Sequence, residues 1–199
     1  MTILHISDTH GKHVGLGYLP QADVLVLSGD FTLNGSDEEA LDFLVWFCDL
    51  PYKHKIFVAG NHDGCMADAS LEGLPENVHY LNNSGVTING VSFSGVPMLA
   101  EVVDGEIHHL ERYDLIDNNV DVLITHCPPM GILDNTDGKV LYGSQLLLER
   151  LTAITPKMNL FGHVHDAYGI TEWKGMTFSN AAVTDSRYKL RYLPRLLEY

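Results

Sequence analysis

Ile56-Phe57-Val58-Ala59-Gly60-Asn61-His62-Asp63 decides how the chain is read. Four apolar residues make a short buried strand. Gly60 ends it in a turn, and three residues able to reach a reacting group follow. Asn61 offers a neutral oxygen, His62 a proton and Asp63 a carboxylate. Alone, a G-N-H-D tetrapeptide says little. Its weight comes from four other apolar runs that end the same way. Residues 3–7 run into Asp8-Thr9-His10, and residues 24–28 into Gly29-Asp30. Residues 122–125 run into His126, and residues 158–161 into Gly162-His163-Val164-His165. Each run delivers a metal-type ligand just past its C-terminal end, the edge where active sites collect in α/β folds.

Between these runs the pattern is that of a layered α/β protein, since strands as apolar as 24–27 call for cover on both faces. A helix is expected over 36–50: Ser36 and Glu39 form an S-x-x-E capping box, and Pro51 marks the stop. Leu41, Leu44, Val45 and Cys48 fall at helical spacing and are expected to face the core. A second helix is expected over 144–154, with Leu147, Leu148 and Leu151 inward and Pro156 beyond. Residues 86–96 read as a hairpin closed by a type I′ turn at Asn89-Gly90, and 167–180 as another around Lys174-Gly175. A third helix is expected near 106–117, a loop with a helical turn over 64–76, an acidic turn at 134–138 and a closing strand over 193–199. No repeat or linker interrupts the chain, so 1–199 is expected to be one domain.

The composition is that of an ordinary globular protein, 45% hydrophobic and 19% charged, but the formal net charge is −14. Two bound dications would still leave roughly −10, a surface that repels polyanions and disfavours a nucleic-acid partner. Cys48, Cys65 and Cys127 show no C-x-x-C spacing, which suggests reduced thiols and a cytoplasmic setting. The first strand begins by residue 2 or 3, so no signal peptide is expected. No apolar run approaches the length of a membrane span.

The candidate ligands are Asp8, His10, Asp30, Asn61, His126, His163 and His165: nitrogen and oxygen donors without thiolate. That mixture suits divalent transition metals such as Mn²⁺, Fe, Ni²⁺ or Zn²⁺, with Mn²⁺ favoured here, better than Ca²⁺. Seven ligands exceed the needs of one ion and match two. The order D-x-H, G-D, G-N-H-[D/E], H, G-H-x-H resembles that of the calcineurin-like metallophosphoesterases.

The resemblance implies roles. Asp8, His10 and His165 would hold one metal, Asn61, His126 and His163 the other, and Asp30 would bridge them. A hydroxide shared by the two ions would attack phosphorus, and His62 would protonate the leaving alkoxide. Asp63 stands where the family carries an acid, expected to hold the geometry of its neighbours. The implied fold is a four-layer sandwich, two mixed β-sheets flanked by helices. Residues 125–129 (THCPP), 161–169 (FGHVHDAYG), Asn180-Ala181 and Arg187-Tyr188 are similar to the small metallophosphoesterase-domain (MPPED) branch, relatives of the class III cyclic-nucleotide phosphodiesterases. Cys127 departs from that branch, where Gly is expected; packing is its favoured role.

The expected activity is hydrolysis of a small phosphodiester, cyclic-nucleotide-like, with Asn61, His62, His126 and Arg187 as substrate contacts. A phosphomonoesterase and a nucleotide pyrophosphohydrolase are the alternatives among enzymes, and a protein-binding scaffold on the same fold is the alternative outside them. His5 is expected in the core, and His54 and His79 at the surface. His108-His109 is a candidate overhang of the site, and Lys12-His13 a candidate phosphate contact. Pocket walls are expected from loops 12–22, 64–76, 98–110 and 128–142.

Overall fold

A computed structural model of the chain describes residues 1–67, 69–104, 106–135, 138 and 141–199. The strands are β1 (Thr2–Ile6), β2 (Val24–Ser28), β3 (His54–Val58), β4 (Val78–Tyr80), β5 (Ser84–Ile88), β6 (Val91–Val96) and β7 (Ala100–Val103). They continue with β8 (Glu106–His109), β9 (Val122–Thr125), β10 (Met158–Phe161), β11 (Gly169–Trp173), β12 (Met176–Asn180) and β13 (Arg195–Glu198). The helices are α1 (Asp37–Asp49) and α2 (Gln145–Ile154).

Two mixed sheets stack. The first has the order β13-β1-β2-β3-β4, parallel except for β13. The second has the order β11-β12-β10-β9-β6-β5, its four central strands parallel and its outer two antiparallel. Alternation along each strand assigns its side chains to two layers. Ile3, Val24, Val26, Ile56 and Val58 meet Phe93, Val122, Ile124, Met158 and Leu160 between the sheets. The other face of the first sheet packs on Phe43 and Phe47 of α1, and that of the second on Leu147, Leu151 and Ile154 of α2. The result is the helix–sheet–sheet–helix sandwich that the resemblance implies. His5 lies fully buried between the sheets, its ring bonded to Ser179 Oγ (3.0 Å) and Ser28 Oγ (2.8 Å).

The sheets are tied together at both ends. At the C-terminal rim Ser7 N donates to Ala181 O, and Val183 N to Ser7 O, both at 2.9 Å. At the opposite end Tyr199, just past β13, donates its hydroxyl to Asp121 Oδ1 at 2.7 Å, just before β9.

Two expectations are corrected. The capping box at Ser36 and Glu39 is present, but α1 buries Ala40, Phe43 and Phe47, leaving Leu41 and Val45 more than half exposed. Aromatic rings bury more area than the aliphatic stripe one step round the helix, so they take the core. The helix expected near 106–117 is instead β8, paired with β7, followed by a short 3₁₀ turn at Tyr113–Leu115. Its sequence carries no apolar stripe to hold a helix on the sheet. The short edge strand β4 also escapes the pattern. Residues 136 and 137 of the expected acidic turn lie outside the described residues.

Candidate metal centre

The C-terminal ends of the parallel strands in both sheets point to one rim. The turn after β1 carries Asp8 and His10, the turn after β2 Asp30, and the turn after β3 Asn61 and His62. From the second sheet, β9 delivers His126, and β10 delivers His163 and His165. Four of these residues hold left-handed backbones: Asp8 (φ 56°), His10 (42°), Asp30 (54°) and His163 (69°). For a residue with a Cβ that conformation costs about 1–2 kcal/mol. Such strain concentrates at functional sites, where packing over-determines it.

Asp63 clamps two of the turns. Its Oδ2 accepts from Asp30 N and Gly60 N, and its Oδ1 from Thr32 N, each at 2.8 Å, with the Thr32 hydroxyl at 2.9 Å. It is fully buried and does not line the cavity, so its contact with the site runs through Asp30 and Gly60. Burial and the charge of Asp30 push its carboxyl up to about 7, against these donors.

Four imidazoles are anchored alike. Nδ1 of His10 faces Thr32 O (3.1 Å), that of His62 Leu33 O (2.8 Å), that of His126 Ser28 O (2.7 Å), and that of His165 Asp185 O (2.8 Å). A carbonyl only accepts, so each Nδ1 carries a proton, and in the neutral ring Nε2 presents a lone pair. This is how metal-ligating histidines are oriented.

The Nε2 atoms converge on two carboxylates. His165 Nε2 lies 3.1 Å from Asp8 Oδ1, and His126 Nε2 3.3 Å from Asp30 Oδ2. His10 Nε2 stands between, 3.9 Å from Asp8 and 3.7 Å from Asp30. Three overlapping sets, Asp8/His10/His165, His10/Asp30/His62 and Asp8/Asp30/His126, each bring one ligand atom per residue within 4.8 Å of the others. His163 and Asn61 stand beside them, His163 Nδ1 to Asn61 Oδ1 at 2.9 Å, with the His163 ring 5.3 Å from that of His126.

The donors fit cations. His126 Nε2 is buried without a hydrogen-bond partner among the described residues. His10 Nε2 and His165 Nε2 meet at 3.2 Å, two lone pairs face to face unless a proton or a metal lies between. Room is kept for the ligands: a Cβ at position 162 would lie 2.0 Å from Asp8 Oδ2, and one at position 60 would lie 2.2 Å from Asp30 Oδ1.

The electrostatics point the same way. Burial lowers His10 and His163 to about 4, leaving both neutral at pH 7. Burial would lower His126 too, but Asp30 and Asp8 raise it to about 10. Desolvation would lower His165, but its hydrogen bond to Asp8, the Asp8 charge and the Asp185 carbonyl together leave it raised. Desolvation works against the charged forms of Asp8 and Asp30, yet the facing imidazoles keep both carboxyls below their ordinary value. The carboxylates favour positive charge on whatever the Nε2 atoms hold.

A cavity of about 280 Å³ opens over this cluster, with Asp30, Asn61, His62, His163 and His165 in its wall. Of the four loops expected to wall it, only 128–142 contributes among the described residues, through Tyr142. The rest comes from Val164 and Asp166 and from the C-terminal segment, as Ser186 and Tyr188. Tyr188 packs edge-on to His10 with ring centres 4.7 Å apart, near His62 and His165 at 5.8 and 5.7 Å. The sequence marks it only as part of the Arg187-Tyr188 pair and gives it no role at the site, since a tyrosine in a tail carries no metal-type signal.

Arg187, its neighbour, does not line this cavity but an adjoining depression. His13 is turned away, buried against Trp46 with ring centres 4.9 Å apart and 3.3 Å from Asp42 Oδ2. His108 and His109 are exposed on β8 and line no part of the cavity. Cys127 is buried, and desolvation pushes its thiol up to about 12.

Two stacked sheets with a carboxylate–imidazole cluster on their shared rim, taken with the matches that follow, mark a metal-dependent phosphoester hydrolase. The chain belongs to the calcineurin-like phosphoesterase family, whose model matches residues 1–167. A UPF0046 protein of Caenorhabditis elegans is 34% identical, over 97% of this chain and 79% of its own length. Metallophosphoesterase domain-containing protein 1 of Homo sapiens is 32% identical, over 92% of this chain and 66% of its own. A solved crystal structure only 16% identical shares the fold, with a TM-score of 0.66 over 91% of this chain and 90% of that one. No helix among the described residues is long and apolar enough to cross a membrane.

Proposed function

We propose that residues 1–199 form one domain acting as a dinuclear phosphodiesterase on small phosphodiesters. The observation that carries this reading is the set of carbonyl-anchored imidazoles whose Nε2 atoms converge on Asp8 and Asp30. Asp8, His10 and His165 would hold one ion, and Asn61, His126 and His163 the other, with Asp30 shared. The donor set suits Mn²⁺, and Fe, Ni or Zn also match it. When bound, the ions supply an acidified water as nucleophile and positive charge for the phosphoryl oxygens.

The chain's own residues do the rest. Asn61, in the cavity wall, would contact a bound phosphoryl group, whereas His126, expected to do the same, is fully buried and does not line the cavity. The Leu33 carbonyl holds His62 by Nδ1, and Asp30 Oδ1 accepts from His62 N at 2.8 Å. The ring is thereby aimed so that Nε2, when protonated, donates to the leaving alkoxide. Asp63 fixes the turn that carries both residues. The small open cavity and the net charge of −14 support a small substrate over a nucleic acid. The free cysteines support a cytoplasmic setting.

The test is hydrolysis of bis(p-nitrophenyl) phosphate beside p-nitrophenyl phosphate, on chelator-stripped protein with Mn²⁺ restored. Turnover that depends on Mn²⁺ and favours the diester is expected. His62→Ala should lower kcat by about 10²–10⁴-fold while keeping both metals. Preference for the monoester would make the protein a phosphatase. No turnover with two metals bound would favour a scaffold.

A further inference from the structure

The depression beside the metal cavity shares two of its walls, Asp166 and Ser186. Asp185, Arg187, Arg191 and Tyr192 complete it, and its volume is about 360 Å³. The segment that builds it is held at several points. Asp185 N donates to Lys189 O at 2.9 Å, and Tyr188 N to Asp185 O at 2.8 Å. The Asp185 carbonyl also receives His165 Nδ1, which ties the segment to the metal cluster. Farther along, Tyr192 stacks on Tyr168 at 4.4 Å, and Arg195 covers Tyr168 at 3.8 Å.

The charges in this depression are more evenly balanced than in the rest of the molecule. The Asp185 carboxylate is engaged by two backbone N–H groups, Arg187 N at 2.9 Å and Lys189 N at 3.1 Å. Among the described residues neither Arg187 nor Arg191 makes an ion pair within 4 Å. Two carboxylates, Asp166 and Asp185, and two guanidinium groups therefore line the depression. In a chain with 26 acidic and 12 basic residues, a margin with as many cations as carboxylates is relatively basic. Guanidinium groups match phosphate oxygens in geometry as well as charge.

We propose that Arg187 and Arg191 form an anion subsite for a second phosphate of the substrate, so that the preferred class is a phosphodiester carrying a further phosphate group. This rests on the phosphodiesterase reading above. Thymidine 5′-(p-nitrophenyl phosphate) and its 3′-phosphorylated counterpart release the same group from the same diester and differ by one phosphate. With the Mn²⁺-loaded protein the 3′-phosphorylated compound is expected to show a KM about tenfold lower. In Arg187→Gln and Arg191→Gln the KM ratio should shrink, and in the double variant fall to near one. Calorimetry reads the subsite without turnover: thymidine 3′,5′-bisphosphate should bind about tenfold tighter than thymidine 5′-monophosphate, and no tighter in the double variant. Equal affinities in the wild type, or a preference that the variants keep, would overturn the subsite. Failure of the phosphodiesterase reading looks different: neither nitrophenyl diester is hydrolysed, while the calorimetric preference stands or falls by itself.

Discussion

Position 162 shows how closely a single residue can be fixed by its neighbours. It stands between β10 and His163, where a side chain would run into Asp8 Oδ2 and Ser7 Oγ, each 2.0 Å from the added carbon. Gly162→Ala is expected to destabilise the protein by about 1–3 kcal/mol, the usual cost of overpacking. Displacing Asp8 should also cut bound metal, read by elemental analysis beside a thermal melt. A variant with wild-type melting and full metal content would show that Asp8 has another place to go. At this scale the sequence was legible wherever chemistry and spacing coincided. Asp8, His10, Asp30, His126 and His165 were found because carboxylates and imidazoles recur just past apolar runs. Tyr188 was not, because its place beside His10 is set by the return of the chain over more than 170 residues and by a left-handed backbone (φ 57°). Arg187 had the right charge, but the same turn carries it into the adjoining depression.

Among the elements, α1 separates propensity from packing. Its limits follow from Ser36, Glu39 and Pro51, all local signals, and the helix forms where they place it. Its buried face depends on what the neighbouring sheet can bury best. Phe43 is fully buried, stacked on Phe31 with ring centres 4.3 Å apart, whereas Leu41 is 62% exposed. Phe43→Ala is therefore expected to cost about 3–5 kcal/mol in a denaturant titration. Leu41→Glu should stay within about 0.5 kcal/mol of wild type. Reversal of that order would mean that the helix is rotated from the orientation described here. Strands with apolar runs were legible for the same local reason. β8 was not, because Glu106-Ile107-His108-His109 is short, polar and exposed, and becomes a strand only through its partner β7.

For the molecule as a whole, the tie opposite the metal cluster can be tested apart from function. Asp121 accepts from Ser92 N and Ser92 Oγ at 3.0 and 2.8 Å, as well as from the Tyr199 hydroxyl, with Lys157 Nζ 3.5 Å away. The Ser92 backbone N–H and the Tyr199 hydroxyl hold its carboxyl down to about 2. A folded-state pKa below the unfolded value of about 3.9 stabilises the protein above pH 4. That contribution is lost as pH falls from about 4 to about 2. Asp121→Asn should lower the melting temperature at pH 7 and flatten its fall over this acid window, while metal content and turnover stay at wild-type levels. An unchanged acid profile would place the acid sensitivity elsewhere.

The four left-handed backbones at Asp8, His10, Asp30 and His163 set a limit on improving this protein. Glycine would relax each of them, and asparagine would suit the two aspartate positions, but either change removes or weakens a candidate ligand. Selection for heat resistance alone would drift toward those replacements and erode the metal cluster. Robustness and activity pull in opposite directions at these four positions. A stabilising library should therefore hold them fixed and draw its changes from the outer faces of the helices and sheets.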